Sequence, residues 1–131
     1  MGETVFMAHS GVRYLVLAVG LVTLVVALVA MLTGRASAPG RAAAGAFRLF
    51  VVTIDTQVAI GLVVVFVRPF HPMYIGHIVM MGGALTVAHM FAIRLRKAAV
   101  DDGGPGLIVT GTLLALVLVV GGILAIQRAI I

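Results

Sequence analysis

The chain contains no cysteine, which excludes disulfides, thiolate metal sites and thiol nucleophiles. Charge is nearly as scarce: charged residues make up 10% of the chain against 63% hydrophobic ones. A soluble domain of this length needs a polar surface that so few charges cannot supply. Several enzyme signatures are missing too, with no G-x-S-x-G, no H-E-x-x-H and no Walker loop. Internal repeats and matched helix breaks, the marks of secondary transporters, are also lacking. The net charge of +5 comes without a basic patch interleaved with aromatics, so it does not point to nucleic acid. "MGETVFMAHS" has neither the basic start nor the small-residue cleavage site of a secretory signal, and the first helix is expected to be retained.

What is present is apolar length. Mean hydropathy is +1.27, and four apolar spans run at about 8–33, 46–67, 73–96 and 107–127. Roughly 20 such residues cross the hydrocarbon of a bilayer, so the chain reads as an integral membrane protein with lipid as its first partner. The links "TGRASAPGR", "RPFHP" and "RKAAVDDGGPG" are short, and the two prolines of "RPFHP" hold that connection to a tight turn. Short links make neighbours antiparallel, which predicts one all-α domain over 1–131, an up-down-up-down four-helix bundle. Arg35, Arg41, Arg48, Arg94, Arg96 and Lys97 lie at one side and Arg13, Arg68 and Arg128 at the other. The excess of basic residues marks the cytoplasmic side, so both termini and the "RPFHP" turn are expected outside.

"HPMYIGHIVMMGGALTVAHM" holds three of the four histidines, in a region otherwise suited to lipid. His71 falls in the turn, where it can face water. His77 comes about one turn into the third helix, near the boundary where His9 starts the first. His89 lies roughly 18 Å beyond His77 along the helix, at 1.5 Å per residue, so one metal cannot take both. His9 and Arg13 are four apart and share a face. A b-type haem asks for imidazole on iron and for cations near its propionates. His9 and His77 can be the axial ligands, with Arg13 at a propionate, on inward faces of facing helices. A second haem at His89 would need a non-histidine or open sixth position. Gly82, seven residues before His89, leaves room on the same face for a flat ring or another helix.

Asp55 falls mid-helix in "TIDTQ". An intramembrane carboxylate costs several kcal/mol unless paired or protonated, and His89 is at a depth where an Asp55–His89 hydrogen bond can form. Such a bond can orient a ligand, belong to a proton path, or satisfy two polar groups. Gln57 points to nearly the opposite face and is expected to hydrogen-bond between helices. Met7, Met73, Met80 and Met81 surround the outer histidines, and thioether with imidazole suits copper(I). That gives copper as an alternative to haem.

Taken together, "HSGVRY", "DTQVAIGL" and "GHIVMMGGALTVAH" resemble a group of small four-helix bacterial membrane proteins labelled cytochrome b-like. The matching positions are His9, Arg13 and Tyr14, then Asp55, Gln57 and Gly61, then His77 and His89. The resemblance covers the first three helices. It implies haem b, electron transfer in the bacterial inner membrane, and a quinone or redox protein as partner, alone or in an oligomer or larger complex. Two-haem b cytochromes carry histidine pairs on two helices, and this chain has such a pair on one. The competing expectation is a non-catalytic accessory subunit whose histidines are structural.

Overall fold

The computed structural model describes residues 1–34, 36–98 and 104–126. Arg35, Arg128 and the expected end of the fourth span at 127 lie outside the described residues. The described chain forms α1 (Gly2–Thr33), α2 (Ala38–Val67), α3 (Tyr74–Lys97) and α4 (Gly104–Ala125). Each is long and apolar enough to cross a membrane. The protein is a multi-pass membrane protein built as an up-down-up-down bundle, as the four apolar spans predicted.

Helices α1 and α2 begin earlier than their apolar spans, at Gly2 and Ala38 rather than at about 8 and 46. Hydropathy marks the part of a helix that suits lipid, whereas hydrogen-bonding signals set where the helix itself begins. At α2 those signals are Ser37, whose hydroxyl accepts from the Gly40 amide at 3.1 Å, and Pro39 in the first turn. Both satisfy or remove amides that a helix start leaves unpaired. At the far end of α1, Gly34 adopts φ 90° and donates its amide to Ala30, a left-handed conformation that costs other residues a Cβ clash. Arg94, Arg96 and Lys97 fill the last turn of α3, where cations complement the helix dipole.

Buried positions recur at spacings of three and four along every helix. They are Val16, Gly20, Thr23, Ala27 and Ala30 on α1, and Ala43, Phe47, Phe50, Ile54 and Gln57 on α2. On α3 they are Met81, Ala84, Ala88, Phe91 and Leu95, and on α4 Ile108, Gly111, Ala115, Val119 and Gly122. This is the seam of a bundle with shallow crossing angles. Half of these residues are Gly, Ala or Thr, because in lipid close backbone approach, not exclusion of water, draws helices together. Helix α1 packs most extensively on α2 and α3 on α4, while α1 against α4 joins the pairs. Among adjacent helices α2 and α3 meet least, and α1 and α3 stand at opposite corners.

Gly111 shows how tight the α3–α4 seam is, since a Cβ there would lie 2.7 Å from Cβ of Phe91. Gly111→Val is therefore expected to lower the thermal midpoint in detergent, by a cost of about 1–3 kcal/mol of overpacking. Gly45→Ala, where a Cβ meets nothing within 4 Å, should leave the midpoint unchanged or raise it slightly. Circular dichroism melts of both variants in one detergent check the contrast.

Candidate functional site

Val16, Ile54, Ala84 and Ala115 form one fully buried layer, each 0% exposed. One heptad further toward the α2–α3 turn, the four seams present His9, Gly61, His77 and Gly122. The pattern that builds the core thus delivers two imidazoles and two glycines to the same end of the bundle. The imidazoles come from the opposite corners, α1 and α3. Their ring centroids are 6.0 Å apart with planes at 84°. The glycines come from α2 and α4 and give the rings room. A Cβ on Gly61 would stand 2.9 Å from His9 Cε1, and one on Gly122 would stand 3.4 Å from His77 Nδ1.

His77 Nδ1 lies 2.8 Å from the carbonyl oxygen of Gly122. Gly122 is in the last turn of α4, where carbonyls lack an intrahelical donor, so this oxygen is free to accept. A carbonyl can only accept, which fixes the proton on Nδ1 and leaves Nε2 with its lone pair. His9 is held differently. The Gln57 side-chain amide donates to the main-chain carbonyl of His9 at 3.1 Å and sits 3.4 Å from His9 Nε2. Gln57 therefore ties α1 to α2, the interhelical role its position suggested. It is 4% exposed, yet Gln57 Oε1 and His9 Nδ1 have no hydrogen-bond partner among the described residues. Buried polar atoms are seldom left so.

These groups line a cavity of about 440 Å³, walled otherwise by apolar side chains that include Val58, Leu62, Val65, Ile78 and Met81. The volume falls within the roughly 300–1,000 Å³ of small-molecule sites. Arg68 also lines it, with its guanidinium 4.2 Å over the Phe6 ring and 4.0 Å from Glu3. Arg13, the residue expected beside a propionate, is not part of the wall. Its guanidinium lies 4.6 Å over the Tyr14 ring and donates to the Tyr14 hydroxyl at 2.7 Å. The cation at the cavity is Arg68, which the sequence reading counted only for topology.

His89 stands apart from this pair. Its Nε2 is 2.7 Å from Asp55 Oδ1, so the hydrogen bond expected from their depths is formed. His71 lies in the turn, its carbonyl accepting from the Tyr74 amide at 2.9 Å and its ring 6.0 Å from that of Tyr74. Of the four methionines, Met7 and Met73 are exposed and Met80 packs against Gly121. Met81 alone of the four lines the cavity.

Among the described residues no three His, Asp or Glu side chains converge to hold a bare ion. Two facing imidazoles with an apolar space beside them suit a planar macrocycle that brings its own equatorial donors. The chain matches no family model, and neither the curated proteins nor the solved structures contain a significant match, so the functional reading rests on the site's own geometry.

Proposed function

We propose that the protein is a small membrane-embedded b-type cytochrome, an electron carrier or a subunit that passes electrons. The observation that carries this is the His9–His77 pair, 6.0 Å between ring centroids at the wall of an apolar cavity. His9 and His77 would hold the haem iron. When bound, haem b supplies one-electron redox chemistry. The Gly122 carbonyl fixes the His77 tautomer and raises the basicity of its free nitrogen, as backbone carbonyls do behind ligating imidazoles. Gly61 and Gly122 keep the space around the rings open. Arg68 is the cation best placed for a propionate, held by Phe6 and Glu3 at the cavity wall.

The excess of basic residues at the opposite end of the bundle supports a site toward the outer face of a bacterial inner membrane. A redox protein reaching that face is the partner this location favours. Copper is the weaker reading because Met81 is the one methionine at the cavity.

The deciding experiment is an absorption spectrum of detergent-purified protein from haem-replete cells, oxidised and then dithionite-reduced, with a pyridine haemochrome assay. The expected result is a Soret band with sharp reduced α and β bands, near one haem per chain. A featureless spectrum from well-folded protein would overturn the proposal, and bound copper in the same sample would replace it.

A further inference from the structure

Residues three and four apart share one face of a helix, and on α2 that rule strings Asp55, Val58, Leu62 and Val65 into a single stripe. Ile78, Gly82 and His89 form a stripe on α3 in the same way. Val58, Leu62, Val65, Ile78 and Gly82 all line the cavity. Further from the α2–α3 turn, the same two stripes are tied by the 2.7 Å bond between Asp55 and His89, whose side chains stay half-exposed. The α2–α3 seam is thus closed at Asp55–His89 and open beyond it, toward the turn. Two groups that lipid could not satisfy satisfy each other, and they set the floor of that opening.

The opening faces sideways. Leu62 and Ile78 line the cavity, yet they are also 55% and 41% exposed on the bundle surface. A side chain with one flank on a cavity and the other on the surface stands at a mouth. This mouth lies between α2 and α3, the adjacent helices that pack least closely, and it looks into what would be lipid. Gly82 keeps it clear, since a Cβ there meets nothing within 4 Å. Gly82 lies roughly 12 Å from the start of α3, at 1.5 Å per residue. An approach from the aqueous outer end meets rings first. There Arg68 stacks on Phe6, and Phe70 stands edge-on to Tyr74 at 6.3 Å between centroids. Helix α1 closes the back with Phe6 and His9.

We propose that the α2–α3 cleft is a lateral entrance through which the protein takes haem directly from the bilayer. The identity of the passenger rests on the cytochrome reading; the opening to lipid does not. A tetrapyrrole is flat and apolar apart from two carboxylates on one edge, so it dwells in a membrane with that edge at the interface. Arg68 stands at the same outer end of the cleft. A plane sliding in between Leu62 and Ile78 keeps its carboxylate edge outward all the way, and neither carboxylate crosses hydrocarbon.

Cell-free synthesis of the full-length protein without haem, into phosphatidylcholine nanodiscs, allows the opening and the passage to be tested apart. The absence of native cysteine lets one disulfide-linked nitroxide be attached at a chosen site. On Gly82→Cys, its relaxation by dissolved oxygen should approach that on Val79→Cys, a position 66% exposed on α3, and a water-soluble nickel chelate should have little effect. Oxygen contact far below that at Val79, or nickel contact exceeding oxygen contact, would overturn the lateral opening. Haem uptake from donor vesicles is then followed by the Soret band. The nitroxide on Leu62→Cys should slow uptake by at least about tenfold, as a gate raises a barrier and not a binding energy, with the final haem per chain unchanged. Cleaving the label with a thiol should restore the rate. The same label on Val63→Cys, exposed on α2 but off the cavity wall, should leave uptake as in wild type. Equal rates with the two labels would overturn the entrance, as would a loss of haem per chain without slower uptake. If even the wild type gained no Soret band, haem would be rejected as passenger together with the cytochrome reading, while the oxygen measurement would still report the opening.

Discussion

His77→Ala should purify folded but with the Soret band reduced by at least about tenfold, since even groups supporting a metal ligand are worth about 10–100-fold. The expectation follows from how His77 is held. Its Nδ1 is engaged by the Gly122 carbonyl at 2.8 Å, so Nε2 is oriented before any ligand arrives, and no neighbouring imidazole can replace it. His89 shares α3 with His77 but lies roughly 18 Å further along it, bound to Asp55 of α2. His9→Ala should be milder and different in kind. Gln57 bonds the main-chain carbonyl of residue 9 at 3.1 Å, so the α1–α2 tie survives loss of the ring. One axial ligand then remains, and the spectrum should change from six-coordinate low spin to five-coordinate, with reduced retention. Added free imidazole should restore the low-spin bands in His9→Ala. A purely structural histidine would not respond in that way. Unchanged spectra in both variants would remove His9 and His77 as ligands, and equal loss of helicity in both would make them packing residues.

The parts of this arrangement that follow from periodicity were legible in the sequence. His9 and His77 lie near the same boundary because their helices are antiparallel, and simple counting along each helix gives that depth. The Asp55–His89 bond was legible for the same reason, as was the separate duty of Gln57 on the opposite face of α2. The half-exposed orientation of Asp55 and His89 was not, because depth along a helix says nothing about which neighbour covers a face. Arg68 was missed in favour of Arg13 for a related reason. A long arginine side chain can swing toward several partners, and the choice here is made by rings: Tyr14 takes Arg13, and Phe6 takes Arg68. Gly122 carried no signal for the role it plays here. What it contributes is a main-chain carbonyl, and that oxygen is free because α4 ends nearby, a fact about a helix terminus and not about a side chain. Gly61 was noted in the resemblance, but its purpose appears only once His9 is seen against it.

Gly61 separates a site effect from a stability effect more cleanly than either histidine. A Cβ there would stand 2.9 Å from His9 Cε1, 3.4 Å from Nδ1 and 3.7 Å from Nε2, so the face of the imidazole occupies the space a side chain would need. The clash is with the mobile end of a side chain and not with backbone, and the ring can swing aside at little cost to the fold. Swinging aside, however, takes His9 away from His77. Gly61→Ala should therefore leave the melting temperature almost unchanged while weakening haem retention and shifting the low-spin bands. Gly61→Val, with two further carbons in the same space, should lose the Soret band by about tenfold or more, approaching the loss of a ligand. Gly11→Ala on the exposed face of α1, where a Cβ meets nothing within 4 Å, is the matched control and should behave as wild type. Parallel measurement of haemochrome stoichiometry and thermal midpoint for the three variants reads the two effects apart. If Gly61→Val retained a full complement of haem with unshifted bands, His9 would not be an axial ligand, because its ring could not remain where a ligand must be.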